Sequence, residues 1–478
     1  MNIKSRAIEG AFWNVFFAVA NKIITAVGQF ALAWFLLPSD MGWANLAQSM
    51  AAFTAILSVG GLGDVLLQRR KFDQEAGQAF WLSLLFSIFT ALIIGSMALA
   101  SPFIGKPKIE NLLWFLSLAT LIGAPATIMA ASLKNKLDYK GLAISQFIGG
   151  LFFTPAAVFL AWLGWGPYAL IVPLISKQLA TMVVMFVRGG VFNFVKPIWS
   201  KLKKLLKPTF ALSISGLFAG LQTQAPIFVC GMVLGAEQTG FFSWGWMVAG
   251  QVVFLLATNL REVLLPTFTK IGNDPERMAK AALKTGRAMT AFLCVTCGAQ
   301  ALLCDGLIRM FLPAKWYPAI PLVILFSLGL VSQGFWVSGS AFLNASGKYR
   351  QLVLLNAVQV GLTAGITWIG SIVGGVWGAS IGCAIAVFAG GSIYIWFINR
   401  NISEGRSASW WAPSFITIFM WLVCFFISWK QGFGIQIVSA VLFIGFNSWI
   451  WWRFDDGGLK LVIDKLSRKL LMPKRVGG

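Results

Sequence analysis

Two lysines stand where a lysine is costly. Lys22, preceded by Asn21, interrupts the apolar run FAVANKIITAVGQF at residues 17–30, and Lys177 sits between Ser176 and Gln178 in another. Lys22 is 11 residues into a run covering 11–37, close to the mid-depth of a membrane-crossing helix and too deep for easy snorkelling. A charge at that depth costs about 2.5–3.5 kcal/mol on insertion scales, so it normally meets an acid or faces a wet cavity where it can hold an anion.

Polar side chains recur around both. Asn14, Asn21/Lys22 and Gln29 follow one another every seven residues, which is one stripe along a helix. Ser176, Lys177, Gln178 and Thr181 repeat the device. Gln251, Thr258 and Glu262 share a face of a third run, with Arg261 beside them. Further stripes are Asn45, Gln48 and Ser49; Ser215 and Gln222; and Asn356, Gln359, Thr363 and Thr367. For amides and hydroxyls, cavity lining and helix–helix hydrogen bonding are equal readings. For the lysines the alternative to a cavity is a buried pair with Asp64 or Glu262, but few acids lie at matching depth. Arg261 lies nearer a helix end, where it can snorkel. Asp64 and Glu262 read as a structural ion pair or as titrating groups in an ion-coupling cycle. Lys22, Lys177, Arg261, Asn21, Gln29, Gln178 and Gln251 thus form a candidate site for an anionic, hydroxyl-rich substrate.

The elements that hold these residues are set by composition. Of 478 residues, 58% are hydrophobic and 11% charged, with mean hydropathy +0.78. Soluble domains carry roughly 25% charged residues. Apolar runs of about 20 residues, each able to cross ~30 Å of hydrocarbon, recur along the whole chain. Unbroken runs exclude the alternating strands of a barrel. The fold class is therefore an all-α polytopic membrane protein with about fourteen spans. Their limits are 11–37, 41–66, 78–100, 111–133, 141–163, 167–187, 209–234, 240–266, 281–304, 317–343, 351–373, 376–397, 411–429 and 432–452.

The net charge of +22 is explained by topology. With both termini on one side and the loops alternating, the opposite loops hold only Lys106, Lys108, Arg309, Lys315 and Lys430. The other basic residues outside the spans, including Arg69, Arg70, Lys71, Lys134, Lys136 and Lys140, collect on the side of the termini. Positive residues mark the cytoplasmic face, so both termini are expected there, against anionic lipid and not nucleic acid. The first run leads straight into further spans and reads as a retained helix. The tail GLKLVIDKLSRKLLMPKR reads as an amphipathic helix on the membrane surface.

No histidine is present, which removes the commonest general base and metal ligand. The six cysteines, including the pair Cys294 and Cys297, lie in or at the edge of spans and read as small buried hydrophobes. Neither a metal nor a cofactor is expected. The longest loop, 188–208, is basic and free of carboxylates, so a membrane-embedded polymerase, ligase or glycosyltransferase is disfavoured.

The chain also repeats itself. LLPSDMGWANLAQSM (36–50) and VLGAEQTGFFSWGWM (233–247) match by residue type as short turns between the first and second spans of two halves. A parallel repeat follows: lobes 1–190 and 209–398, a basic linker 191–208, two added spans 399–454 and the tail 455–478. Trp244 and Trp246, near the outer mouth of their span, are candidate sugar platforms.

At GGLGDVLLQRRKFDQEAGQAFWLSLLFS (60–87), LKNKLDYKGLAISQFIGG (133–150), GWGPYALIVPLISKQL (164–179) and REVLLPTFTKIGNDPERM (261–278), the sequence resembles bacterial polysaccharide exporters. These are the oligosaccharide flippases of the multidrug/oligosaccharidyl-lipid/polysaccharide superfamily. The resemblance implies two six-helix lobes plus two helices around a central cavity opening alternately to either face of the bacterial inner membrane. It implies a flippase, not an enzyme, that turns an undecaprenyl-diphosphate-linked oligosaccharide from the cytoplasmic to the periplasmic leaflet for O-antigen, capsule or exopolysaccharide synthesis. Cationic residues on the first and eighth helices of related flippases correspond, helix by helix, to Lys22 and Arg261. Membrane lipids, a polysaccharide polymerase and chain-length machinery are the implied partners. A drug/ion antiporter of the same superfamily is the alternative; it favours cavity acids, and only Asp64 and Glu262 qualify.

Overall fold

A computed structural model describes residues 3–56, 62–68, 72–189, 195–271, 274–400, 402, 412–428 and 432–453. All regular structure among them is helical. The first group is α1 (Ile3–Phe35), α2 (Pro38–Ala52), α3 (Leu62–Gln68), α4 (Phe72–Ala100), α5 (Glu110–Asn135), α6 (Tyr139–Trp162) and α7 (Tyr168–Val187). There follow α8 (Trp199–Val233), α9 (Ala236–Ile271), α10 (Pro275–Phe311), α11 (Ile320–Leu330), α12 (Gln333–Ala345), α13 (Tyr349–Asn399), α14 (Ala412–Ser428) and α15 (Phe433–Arg453).

In lipid a helix is the open solution because it satisfies its backbone within itself. Among the described residues seven helices are long and apolar enough to cross, or eight when the bent pair Ala314–Leu330 and Gln333–Ala345, inclined at 41°, counts as one. The protein is an all-α, multi-pass membrane protein. α13 is itself broken: Gly374 and Gly375 leave helical geometry, Gly375 with φ 57°. A Cβ on Gly370 would strike the Gly378 carbonyl, so the chain doubles back and supplies two separate runs, as 351–373 and 376–397 anticipate.

Helix starts are written locally. Leu37 is extended, Pro38 opens α2, and the Asp40 carboxylate accepts the Leu37 N–H at 3.1 Å. Asp138 caps α6 by accepting the Gly141 N–H at 2.8 Å. α8 begins at Trp199, ten residues ahead of its expected span, and so takes up part of the expected linker. Lys201, Lys203, Lys204 and Lys207 break the apolar run there, yet Leu202 and Leu205 recur at helical spacing and are buried with Leu62, Leu66, Phe72 and Ile128. The segment just before it is held too. Gln78 of α4, fully buried, donates to the Lys196 carbonyl (2.7 Å) and accepts the Ile198 N–H (2.8 Å), while Trp81 donates to the Val195 carbonyl.

The chain forms two compact units. The first comprises Met1–Trp244, Phe311–Pro318 and Asn356–Ala379. Besides the cluster around Leu62, it buries Ala44, Leu46, Met50, Ile94, Leu112, Leu113 and Ile171 between α2, α4, α5 and α7. The second comprises Gly245–Met310, Ala319–Leu355 and Ser380–Gly478, with a core of Phe268, Leu283, Phe335, Phe342, Tyr394 and Ile398. All six cysteines are free and buried, as small hydrophobes are. The basic cluster 69–71 and the tail from 454 lie outside the described residues.

Candidate functional site

In the first unit α6 packs against both α1 and α7 through a pair of adjacent glycines. The position a Cβ on Gly150 would take is filled by the Asn21 amide oxygen of α1. The corresponding position on Gly149 is filled by the Thr181 hydroxyl, with the Lys177 backbone and side-chain stem beside it. Gln178, the next residue of α7 after Lys177, lays its amide over Gly123 of α5. Small residues let helices approach closely where lipid offers no hydrophobic drive. Here they also leave room for polar side chains within the helix packing.

Four candidate groups from two stripes are therefore brought to one level of the unit: Asn21, Lys177, Gln178 and Thr181. Lys177 is half-buried, its ammonium 6.0 Å from the centre of the Phe153 ring of α6. Lys22, the residue after Asn21, is half-buried as well. Among the described residues neither lysine forms an ion pair. The Asn21 amide oxygen is buried without a hydrogen-bond partner among them. A site with an ammonium group, amide dipoles and an aromatic face can hold a phosphate through charge-assisted hydrogen bonds, each stronger than a neutral one.

The other candidates fall differently. Gln29 is half-buried on α1, and Gln251 is half-buried on α9 in the second unit. Asp64, Arg261 and Glu262 lie on α3 and α9, and their side chains are outside the described residues. The stripe Asn356, Gln359, Thr363 and Thr367 is buried throughout, with Thr363 donating to the Gln359 carbonyl at 2.9 Å. Trp244 and Trp246 do not serve as sugar platforms. They are 1% and 4% exposed; Trp244 packs on Trp316 and Trp246 on Phe326. An indole at a span mouth reads the same from sequence whether it faces water or a neighbouring ring.

The end of this unit opposite the N-terminus is sealed. A Cβ on Gly42 would collide with the Ala236 carbonyl, and one on Gly240 with the Pro38 carbonyl, so the two related turns touch backbone to backbone. Asn45 donates to the Ser243 hydroxyl at 2.9 Å just below. The sequence reading missed the segment beside them. Trp316 Nε1 donates to the Ala33 carbonyl (2.7 Å), Lys315 Nζ to the Trp34 carbonyl (2.9 Å), and Trp34 Nε1 to the Phe311 carbonyl (2.8 Å). On the same end, a groove of about 690 Å3 is lined by Asn111, Trp114, Phe115, Leu118, Trp165 and Tyr168.

Residues 31–321, more than half of the chain, match the model of a family described as polysaccharide biosynthesis protein. The chain belongs to that family. Among its relatives is the succinoglycan biosynthesis transport protein ExoT of Rhizobium meliloti (strain 1021), 24% identical over 447 residues that cover 90% of this chain and 88% of the relative. Among solved structures, the lipid II flippase MurJ in an inward closed conformation matches with a TM-score of 0.65 at 16% identity, over 92% of this chain and 99% of that one. A multidrug resistance MATE family transporter of the MOP superfamily, inward-facing, matches with a TM-score of 0.56 at 15% identity, over 84% and 95%. One fold thus serves both a lipid flippase and a drug transporter, and the choice between them rests on the site.

Proposed function

We propose that this polysaccharide biosynthesis family member is a flippase. It carries an undecaprenyl-diphosphate-linked oligosaccharide from the cytoplasmic to the periplasmic leaflet of the inner membrane by alternating access, with both termini in the cytoplasm. The observation that carries the reading is the cationic, polar packing at Gly149–Gly150, where Lys177, Asn21 and Thr181 converge, with the Gln178 amide over Gly123 of α5, and no acid pairs with either lysine among the described residues. A drug cation needs the reverse arrangement, an acid at mid-depth.

In this reading Lys22, Lys177 and Arg261 meet the diphosphate as point charges or as a guanidinium fork. Asn21, Gln29, Gln178 and Gln251 receive its oxygens and the first sugars. Asp64 and Glu262 pair with the cations or couple ion flow. The lobes are residues 1–190 and 209–398, with the two last spans beside them. The product then passes to a polymerase and its chain-length machinery.

The test is deletion of the gene followed by analysis of lipid-linked oligosaccharide. Accumulation of the undecaprenyl-linked repeat unit in the cytoplasmic leaflet, with loss of one surface polysaccharide, is the expected result. Unchanged glycans on all fronts would overturn the assignment.

A further inference from the structure

The segment Phe311–Pro318 connects α10 to α11, and both of those helices belong to the second unit, yet the segment itself belongs to the first. There it grips the end of α1. The last carbonyls of an α-helix have no partner within the helix and fall to water or to side chains. On α1 two of them, Ala33 and Trp34, are taken by Trp316 and Lys315, and the Trp34 indole returns a bond to Phe311. The grip continues sideways. Trp316, fully buried, lies against Trp244 with ring centres 5.1 Å apart and meets Phe241 edge-on at 6.1 Å. Those two residues are on the first turns of α9, next to Gly240 and its contact with Pro38.

We infer that Phe311–Pro318 is a latch on the outer closure, fastened to the end of α1 by Trp316 and Lys315 and released when the substrate path opens outward. The chemistry suits a reversible fastening. Two of the three bonds, those of Lys315 and Trp34, are exposed side chain-to-carbonyl bonds, where water replaces the lost donor when the latch lifts. The glycine contacts beside it have no such substitute and fit only when the turns are shut. The segment's ends run directly into α10 and α11, so displacement of those helices pulls on the latch. The Lys315 ammonium donates to the Trp34 carbonyl, and the Asp40 carboxylate accepts the Leu37 N–H at the start of α2.

This inference rests on the flippase reading only for which face is outer, and its test does not require transport. Full-length protein with Ser39→Cys reports on the seam by labelling with a membrane-impermeant maleimide, in right-side-out and inside-out vesicles. Trp316→Phe keeps the ring and removes the donor; Lys315→Met removes the ammonium; Lys315→Arg restores a donor. A several-fold rise in labelling from one face is expected in the first two, greater when they are combined, and reversed in Lys315→Arg, with the melting temperature of the purified protein unchanged. Labelling at the parent level in the combined variant would overturn the latch. So would a rise accompanied by general loss of stability, which would make the contacts merely structural.

Discussion

At the scale of single residues the account turns on Lys22 and Lys177. Lys22→Ala and Lys177→Ala should each assemble normally and lose transport by about tenfold to a hundredfold, the worth of one charge-assisted hydrogen bond of ~1.5–3 kcal/mol. Lys22→Arg should keep part of the activity; export rates at matched membrane levels give the comparison. Normal export by the double alanine variant would make both lysines structural or lipid-facing. These residues were legible in the sequence because a charge inside an apolar run has few explanations. Trp316 was not. Its partner carbonyl is 283 residues away, and in a chain with 22 tryptophans an indole draws no notice. The same lack of signal let Trp244 and Trp246 pass as sugar platforms when their rings are buried.

At the scale of elements, the helices follow the apolar runs closely, because a run of twenty apolar residues in lipid has only one way to satisfy its backbone. What the runs conceal is amphipathic helix outside the membrane. The start of α8 carries four lysines, and only Leu202 and Leu205, on its buried face, disclose it. The Gln78 clamp on residues 196–198 makes that segment a fixed strap on α4. Gln78→Leu removes both part-buried bonds and should cost about 0.5–1.5 kcal/mol for each. Faster proteolysis near residues 190–198 and a lower melting temperature are the expected readouts. Cleavage and melting indistinguishable from the parent would free the strap from this role. Gly42 and Gly240 are the counterpart on the far end. The repeat in the sequence pointed to these turns; that they touch is shown by the structure. Gly42→Ala puts a methyl group into the Ala236 carbonyl, so it should hold the seam ajar and raise labelling of Ser39→Cys. Unaltered labelling would mean that the backbones yield without parting.

At the scale of the whole molecule, the two turns touch here as the sealed end of a transport path requires. Cysteines at Ser39 and Ala236, with the native six replaced, should cross-link, block export and recover it on reduction. Full export with the pair locked would rule out opening at this seam. The sequence conveyed the all-helical, multi-pass class, since it is written in local composition. It could not convey which polar stripes converge, because Asn21 and Lys177 meet only through the glycine pair of a third helix. Whether that convergence holds a diphosphate is decided most directly in reconstituted vesicles. The purified protein is placed in liposomes with polyprenyl-diphosphate oligosaccharide extracted from the producing cell, and the sugar reachable by membrane-impermeant periodate is measured over time. The account predicts that the reachable fraction rises beyond the outer leaflet's share with the native protein, and stays at that share with Lys22→Ala/Lys177→Ala. Native protein indistinguishable from empty liposomes, or a double variant that flips as fast as the native chain, would contradict it.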